Sequence, residues 1–237
     1  MNGTLAIAER ELKSYFVSPV AYVITAAYLV ITGVLFSIIL IQTSEASLRY
    51  LFGNISVVWL FVTPMITMRL IAEEIRSGTI ELLLTNPVRE IELVLGKFLG
   101  ALGFTLVMLS GTLLYPAALY LLGSPDHGPM IAGYVGVILQ ASAFIAIGLF
   151  ASSLTQNQIV AAVLTFAFLL VMWLSDSVAN SLSGRVADVV RYLSITSHFQ
   201  DFSRGIVDTT HIVYFASLVV GALSLSFLSL QSRRWRA

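Results

Sequence analysis

The chain has 237 residues, of which 57% are hydrophobic and 11% charged, with 13 basic and 13 acidic side chains. Soluble domains carry roughly 25% charged residues, so with a mean hydropathy of +0.90 a water-soluble fold is excluded, and so is disorder. A net charge of zero and a pI near 6.8 exclude nucleic acid as a partner held by bulk attraction, and the absence of cysteine removes disulfides, thiolate nucleophiles and cysteine-bound metals.

Residues 4–17 are amphipathic. Leu5, Ala8, Leu12, Tyr15 and Phe16 recur at helical spacing, with Glu9, Arg10, Lys13 and Ser14 on the other side. Pro19 ends the segment, which predicts a connecting helix at the inner interface. Next come long gaps between charges: 31 uncharged residues between Lys13 and Glu45, 19 between Arg49 and Arg69, 28 between Lys97 and Asp126, 49 between Asp126 and Asp176, and 24 between Asp208 and Arg233. The polar run Ser152–Gln158 divides the longest gap. A helical span needs about 20 apolar residues, and only helices satisfy lipid-embedded backbone over such lengths. One transmembrane domain over 1–237 follows, with spans at 20–42, 52–70, 92–122, 129–152, 157–177 and 210–231. The first run is too long for a cleaved signal. Pro64 and Pro116 are expected to kink spans two and three, and Gly96 with Gly100 gives span three a small face for close packing.

The segment 71–97 is the longest inner loop. It carries Glu73, Glu74, Arg76, Glu81, Arg89, Glu90, Glu92 and Lys97, with Arg69 just ahead. Ser77-Gly78 predicts a break. Thr79 can cap a short helix whose first turn holds Glu81. Leu82, Leu83 and Leu84 make that helix apolar, and Asn86-Pro87 ends it. Three consecutive leucines bracketed by charge suit a docking element for a soluble partner. The segment 178–209 is the longest outer one, with short amphipathic helices around Val186–Leu193 and Phe199–Ile206. Asp176, His198, Asp201 and Asp208 lie in or near it, but their spacing matches no metal motif; surface helices with caps are the better reading.

With both ends inside, inner segments hold nine Lys or Arg residues against four outside; this places both termini in the cytosol. No phosphate-binding glycine loop or metal motif occurs. No ionisable residue sits in the middle of a span, which argues against a proton-coupled carrier. Ser110 and Ser142 are mid-span without a histidine at matching depth, so no intramembrane protease is expected. The chain is expected to have no catalytic site and no cofactor, and to draw energy from elsewhere.

The run from Met68 to Val88, with Leu95-Gly96-Lys97-Phe98, resembles the coupling-helix region of ABC-2 type permeases. Gly148–Gln158 resembles their inner turn between spans four and five. Ser197–Asp208 and the opening Arg10–Pro19 resemble the gliding-motility-type branch, which shares much of its plan with permeases of nitrous-oxide-reductase maturation. Arg89 stands where relatives often carry a small or acidic capping residue. The resemblance implies an all-α fold of six spans in the inner membrane of a prokaryote. It implies a second permease subunit, identical or not, and a cytosolic ABC ATPase that holds the ATP and Mg. Glu73, Glu74, Arg76, Gly78, Thr79 and Glu81 would then form the ATPase contact, with the 4–17 helix as a second one. An accessory protein on the outer side is a further candidate partner. Export of an unidentified substrate is the implied function; the alternative is a non-transporting anchor or scaffold of a motility or enzyme-maturation machine.

Overall fold

Every regular element among the described residues is a helix. The computed structural model describes residues 3–43, 45, 47–79, 89–123 and 125–234. In chain order the helices are α1 (Gly3–Val17), α2 (Pro19–Thr43), α3 (Arg49–Thr67), α4 (Ala72–Arg76), α5 (Glu90–Gly111), α6 (Leu114–Leu122), α7 (His127–Leu154), α8 (Gln158–Asn180), α9 (Arg185–Tyr192), α10 (Ile195–Ser203) and α11 (Thr209–Arg234). Six stretches are long and apolar enough to cross a membrane: Pro19–Thr43, Arg49–Arg76, Glu90–Leu122, His127–Leu154, Gln158–Asn180 and Thr209–Ser232. The protein is an all-α polytopic membrane protein.

Spans two, three and four form the centre. There 61–72% of the apolar window is buried, against 17–22% in spans one, five and six. Lipid is as apolar as leucine, so helices in a bilayer associate through close approach and polar pairs. The central helix α7 follows that rule. Phe52 and Thr67 of α3 press on Gly133 and Gly148, and Phe202 of α10 presses on Gly136, leaving no room for a Cβ. Gln140 of α7 donates to the Ser56 hydroxyl of α3.

Two spans are broken, and each break is repaired by a side chain from elsewhere. Pro64 lies inside α3, which ends at Thr67; the turn at 68–71 leads from there into α4. The freed Ile66 carbonyl accepts from the Tyr15 hydroxyl at 2.9 Å. The N–H groups of Ile71 and Ala72 both donate to Ser152 Oγ, at 3.1 and 3.0 Å. Pro116 sits near the start of α6, after the break at Thr112-Leu113, where the Thr112 carbonyl accepts from Tyr134 at 2.9 Å. Arg89 does not weaken the start of α5, because the Glu92 carboxylate accepts its N–H at 2.9 Å.

α1 runs beside the first half of α5. Gly3 lies against Glu92, and Tyr15 stacks on Phe104 with ring centroids 4.5 Å apart. The Gly96–Gly100 face is the seat. A Cβ at Gly96 would come within 2.6 Å of Ile7 Cβ, and one at Gly100 within 2.6 Å of Glu11 Cβ. Of the apolar positions Tyr15 is buried, while Leu5 and Phe16 lie exposed on the protein surface; Glu11, not among them, is buried with Tyr15. Glycine fit and charge pairing, rather than summed hydrophobicity, set the rotation of α1.

The start of α1, the end of α11, α4 and the 152–157 turn share one end of the bundle, here the terminal end. Ser229 of α11 donates to the Ser153 carbonyl there. At the opposite end α9 and α10 pack against α8 and α7.

The seat has a direct test. Gly100→Leu should destabilise the protein by about 1–3 kcal/mol, the usual cost of overpacking, and open residues 3–17 to protease. Gly103→Ala, where a Cβ meets only Leu12 at 3.5 Å, should be close to neutral in fluorescence-detected unfolding and in proteolysis. Equal behaviour of the two variants would remove the glycine seat from the account.

Candidate functional site

α4 is a single helical turn at the terminal end. Its first two backbone donors are held by Ser152, and Ile71 and Ala72 are fully buried. Those anchors fix which way the next residues point. Glu73 and Arg76 face outward and are exposed; Glu74, between them, turns inward. The chain then reverses at Gly78, whose φ is +69°. A Cβ there would meet nothing within 4 Å, so backbone conformation and not space calls for glycine. The Ser77 and Thr79 hydroxyls share a hydrogen bond of 2.8 Å across the turn.

Glu74 enters a buried group of charges. Its Oε1 lies 2.8 Å from Lys97 Nζ and 3.5 Å from the Arg10 guanidinium. Glu11 Oε2 lies 3.3 Å from the same Lys97 Nζ. Lys97 is 2% exposed, and the Glu74 side chain 13%. Two cations and two carboxylates thus balance, drawn from α1, α4 and α5. Arg10 stays mostly in solvent. Glu74 Oε2 is buried with no hydrogen-bond partner, so the cluster is paired in charge but not saturated in hydrogen bonds.

Of the six residues singled out for a partner contact, Glu73, Arg76, Gly78 and Thr79 are brought together on one exposed turn. Glu74 belongs to the buried cluster instead. Glu81 and the leucine-rich helix expected after Thr79 lie outside the described residues. Sequence reasoning missed Glu11, Lys97 and Ser152. A signal existed for Glu11: it falls at helical spacing with Ala8, Leu12 and Tyr15, on the packed side of α1. Lys97 reads as a charge at the membrane edge. Nothing local marks Ser152 as the acceptor for a turn 80 residues earlier.

At the opposite end the acidic and histidine side chains do separate jobs. Asp208 Oδ1 caps α11 by accepting the Thr210 N–H at 2.7 Å, a bond that holds its carboxyl below the usual range. Asp201 accepts from His211 at 2.8 Å and pairs with Arg204 at 3.6 Å. The His198 ring stacks on Tyr214 at 3.8 Å, and burial holds its pKa below the usual histidine value. Among the described residues no group of three or more ligating side chains converges on one point.

The model of the family described as ABC-2 family transporter protein matches residues 37–230. The match takes in Glu74, Lys97 and Ser152 and begins after α1. No curated protein matches the chain.

The charge cluster predicts non-additive mutants. Lys97→Met leaves two carboxylates buried side by side and should cost about 3–5 kcal/mol, the usual loss when one partner of a buried ion pair is removed. Adding Glu11→Gln and Glu74→Gln to it should recover most of that loss. A triple variant as unstable as the single one in unfolding experiments would mean that Lys97 matters through its packing and not its charge.

Proposed function

The chain belongs to the ABC-2 family of transporter proteins, and on that premise we propose that it exports a substrate with energy from a separate ATPase seated on the turn at 72–79. Family members are permeases of ABC transporters, membrane components that are not themselves catalytic and normally work with an ABC ATPase. In this reading the terminal end faces the cytosol and the bundle lies in the inner membrane of a prokaryote. The nine-to-four bias of Lys and Arg supports that orientation. ATP and Mg belong to the ATPase. A second permease subunit, identical or not, completes the transport path, and an outer accessory protein can join at the opposite end. The opening Arg10–Pro19 and the segment Ser197–Asp208 support a place in the gliding-motility-type branch, close to the nitrous-oxide-reductase-maturation type.

The observation that carries the reading is the division of labour on the turn. Glu73, Arg76, Gly78 and Thr79 are exposed, while Glu74 beside them is held by Lys97 and Arg10. The exposed four meet the ATPase, and Glu81 with the leucines that follow extends the contact. Glu74 links the contact to α1 and α5 rather than touching the partner. Movement of the ATPase pair on nucleotide binding then pulls on a turn that is tied into the bundle.

Two experiments test it. In the complex with its copurifying ATPase, Glu73→Arg combined with Arg76→Glu should leave the unfolding temperature of the permease unchanged and cut coupled ATP hydrolysis by tenfold or more; unchanged coupling would refute the docking site. Ser77→Cys supplies a single thiol in a chain with none. An impermeant maleimide should reach it only after the membrane is permeabilised, and labelling of intact cells would reverse the orientation.

A further inference from the structure

A cavity of about 230 Å³ opens at the terminal end, between the start of α2, the end of α3 and the first residue of α8. It has two kinds of wall. Val20, Ile24 and Met65 are apolar; Arg69, Glu73 and Gln158 are polar. Val20 is 52% and Met65 47% exposed, so the apolar side opens on the outer surface of two membrane-crossing helices. That surface faces acyl chains, not water.

Arg69 is incompletely satisfied. Its Nη1 donates to Ser18 Oγ at 3.3 Å, and its Cζ lies 4.5 Å from the centroid of the Tyr15 ring. Its Nη2 is buried and has no hydrogen-bond partner. Among the described residues no carboxylate comes within ion-pair distance of it. A guanidinium does not deprotonate in proteins, so the unpaired N–H cannot be relieved by losing charge. Arg69 also lines the cavity, where an anionic group would meet its uncompensated charge, and arginine suits phosphate in particular. Basic pockets at helix ends in membranes are sites where lipid headgroups bind. The lining also carries one carboxylate, Glu73, so its formal charge sums to zero. That balance suits a head that is itself both anionic and cationic, and a primary ammonium, unlike a quaternary one, can also donate hydrogen bonds to the Glu73 carboxylate.

We propose that this cavity binds the phosphoethanolamine head of a membrane phospholipid, with the phosphate on Arg69, the ammonium toward Glu73 and the acyl chains along Val20 and Met65. The apolar wall favours a lipid over a soluble phosphate ester of the same head chemistry. Bound there, the lipid joins the α1–α2 elbow at Ser18 to the end of α3. The inference needs the spans to lie in a bilayer; it shares Glu73 with the proposed ATPase contact, but Arg69 and the apolar wall belong to the cavity alone.

The test uses the full chain in mild detergent, with its partner subunit where that copurifies, after delipidation. Phosphatidylethanolamine, phosphatidylglycerol and phosphatidylcholine with identical acyl chains are added, and single-lipid adducts are read by native mass spectrometry. Phosphatidylethanolamine should be retained at least fivefold over the other two. Arg69→Gln should abolish that preference. Met65→Trp, which fills the cavity and leaves Arg69 in place, should do the same and guards against a folding defect in the arginine variant. Glu73→Gln should shift retention toward phosphatidylglycerol. Soluble phosphoethanolamine should compete only weakly. Equal retention of all three lipids, or retention untouched by both Arg69→Gln and Met65→Trp, overturns the site. Full competition by soluble phosphoethanolamine overturns its assignment to a lipid, and an unshifted preference in Glu73→Gln overturns the role given to the ammonium.

Discussion

An ammonium group removed from water must be met by carboxylates or lose its charge. Lys97, 2% exposed, is met by Glu11 and Glu74, which lie 86 and 23 positions away in the chain. Neither carboxylate is useful to the fold without the lysine, and the lysine is not tolerable without them. The consequence is architectural: α1, α4 and the start of α5 assemble as a unit. The glycine seat follows from the same constraint. For Glu11 to reach Lys97, α1 must lie almost backbone to backbone with α5, and only Gly96 and Gly100 permit that approach.

The same turn is tied to the middle of the bundle by a different device. Ser152 takes both free N–H groups at the start of α4 and donates to the Met68 carbonyl at 3.2 Å. α7, which carries Ser152, is the most buried of the six spans. α4 therefore has two attachments: charge pairs to α1 and α5, and hydrogen bonds to α7. The Lys97 pair and the Ser152 bonds are short and buried; the Arg10 pair is longer and open to solvent. Displacing the exposed turn either breaks one of them or carries those helices with it.

The six spans are legible in the sequence because charge is so costly in hydrocarbon that its absence marks them. The outward set of the turn, with Glu73, Arg76, Gly78 and Thr79, is legible too, since a charged stretch around a Ser-Gly break announces an exposed reversal. The inward residues are not. Glu74 looks the same as Glu73 until the partner of each is known, and Lys97 is distinguished only by two carboxylates that no local pattern connects to it. The face of α1 is only half legible for a related reason: the apolar positions include Tyr15, which is buried, but not Glu11, which is buried one turn before it. Proline marks one of the two breaks: Pro116 has no N–H to give the Thr112 carbonyl, where span three breaks, but span two breaks beyond its proline. α3 runs through Pro64 and ends where Tyr15 and Ser152 can satisfy the freed backbone groups, both of them supplied by distant parts of the chain.

Cohesion in this molecule changes character along the bundle. Within the spans, burial of apolar surface gives little drive toward association, so contact rests on glycine against bulky side chains and on hydroxyl and amide pairs such as Gln140 with Ser56. At the terminal end ion pairs take over. α4 stands where the two regimes meet. Thr67, just before the turn, is wedged on Gly148 of α7; Glu74, just after it, is gripped by Lys97. On the proposed reading α4 transmits motion, and a transmitter needs attachments of both kinds, because a turn held only by surface ion pairs would slide in water and one held only by close packing would have nothing charged to present outside. The stretch from Thr67 to Glu74 supplies both within eight residues.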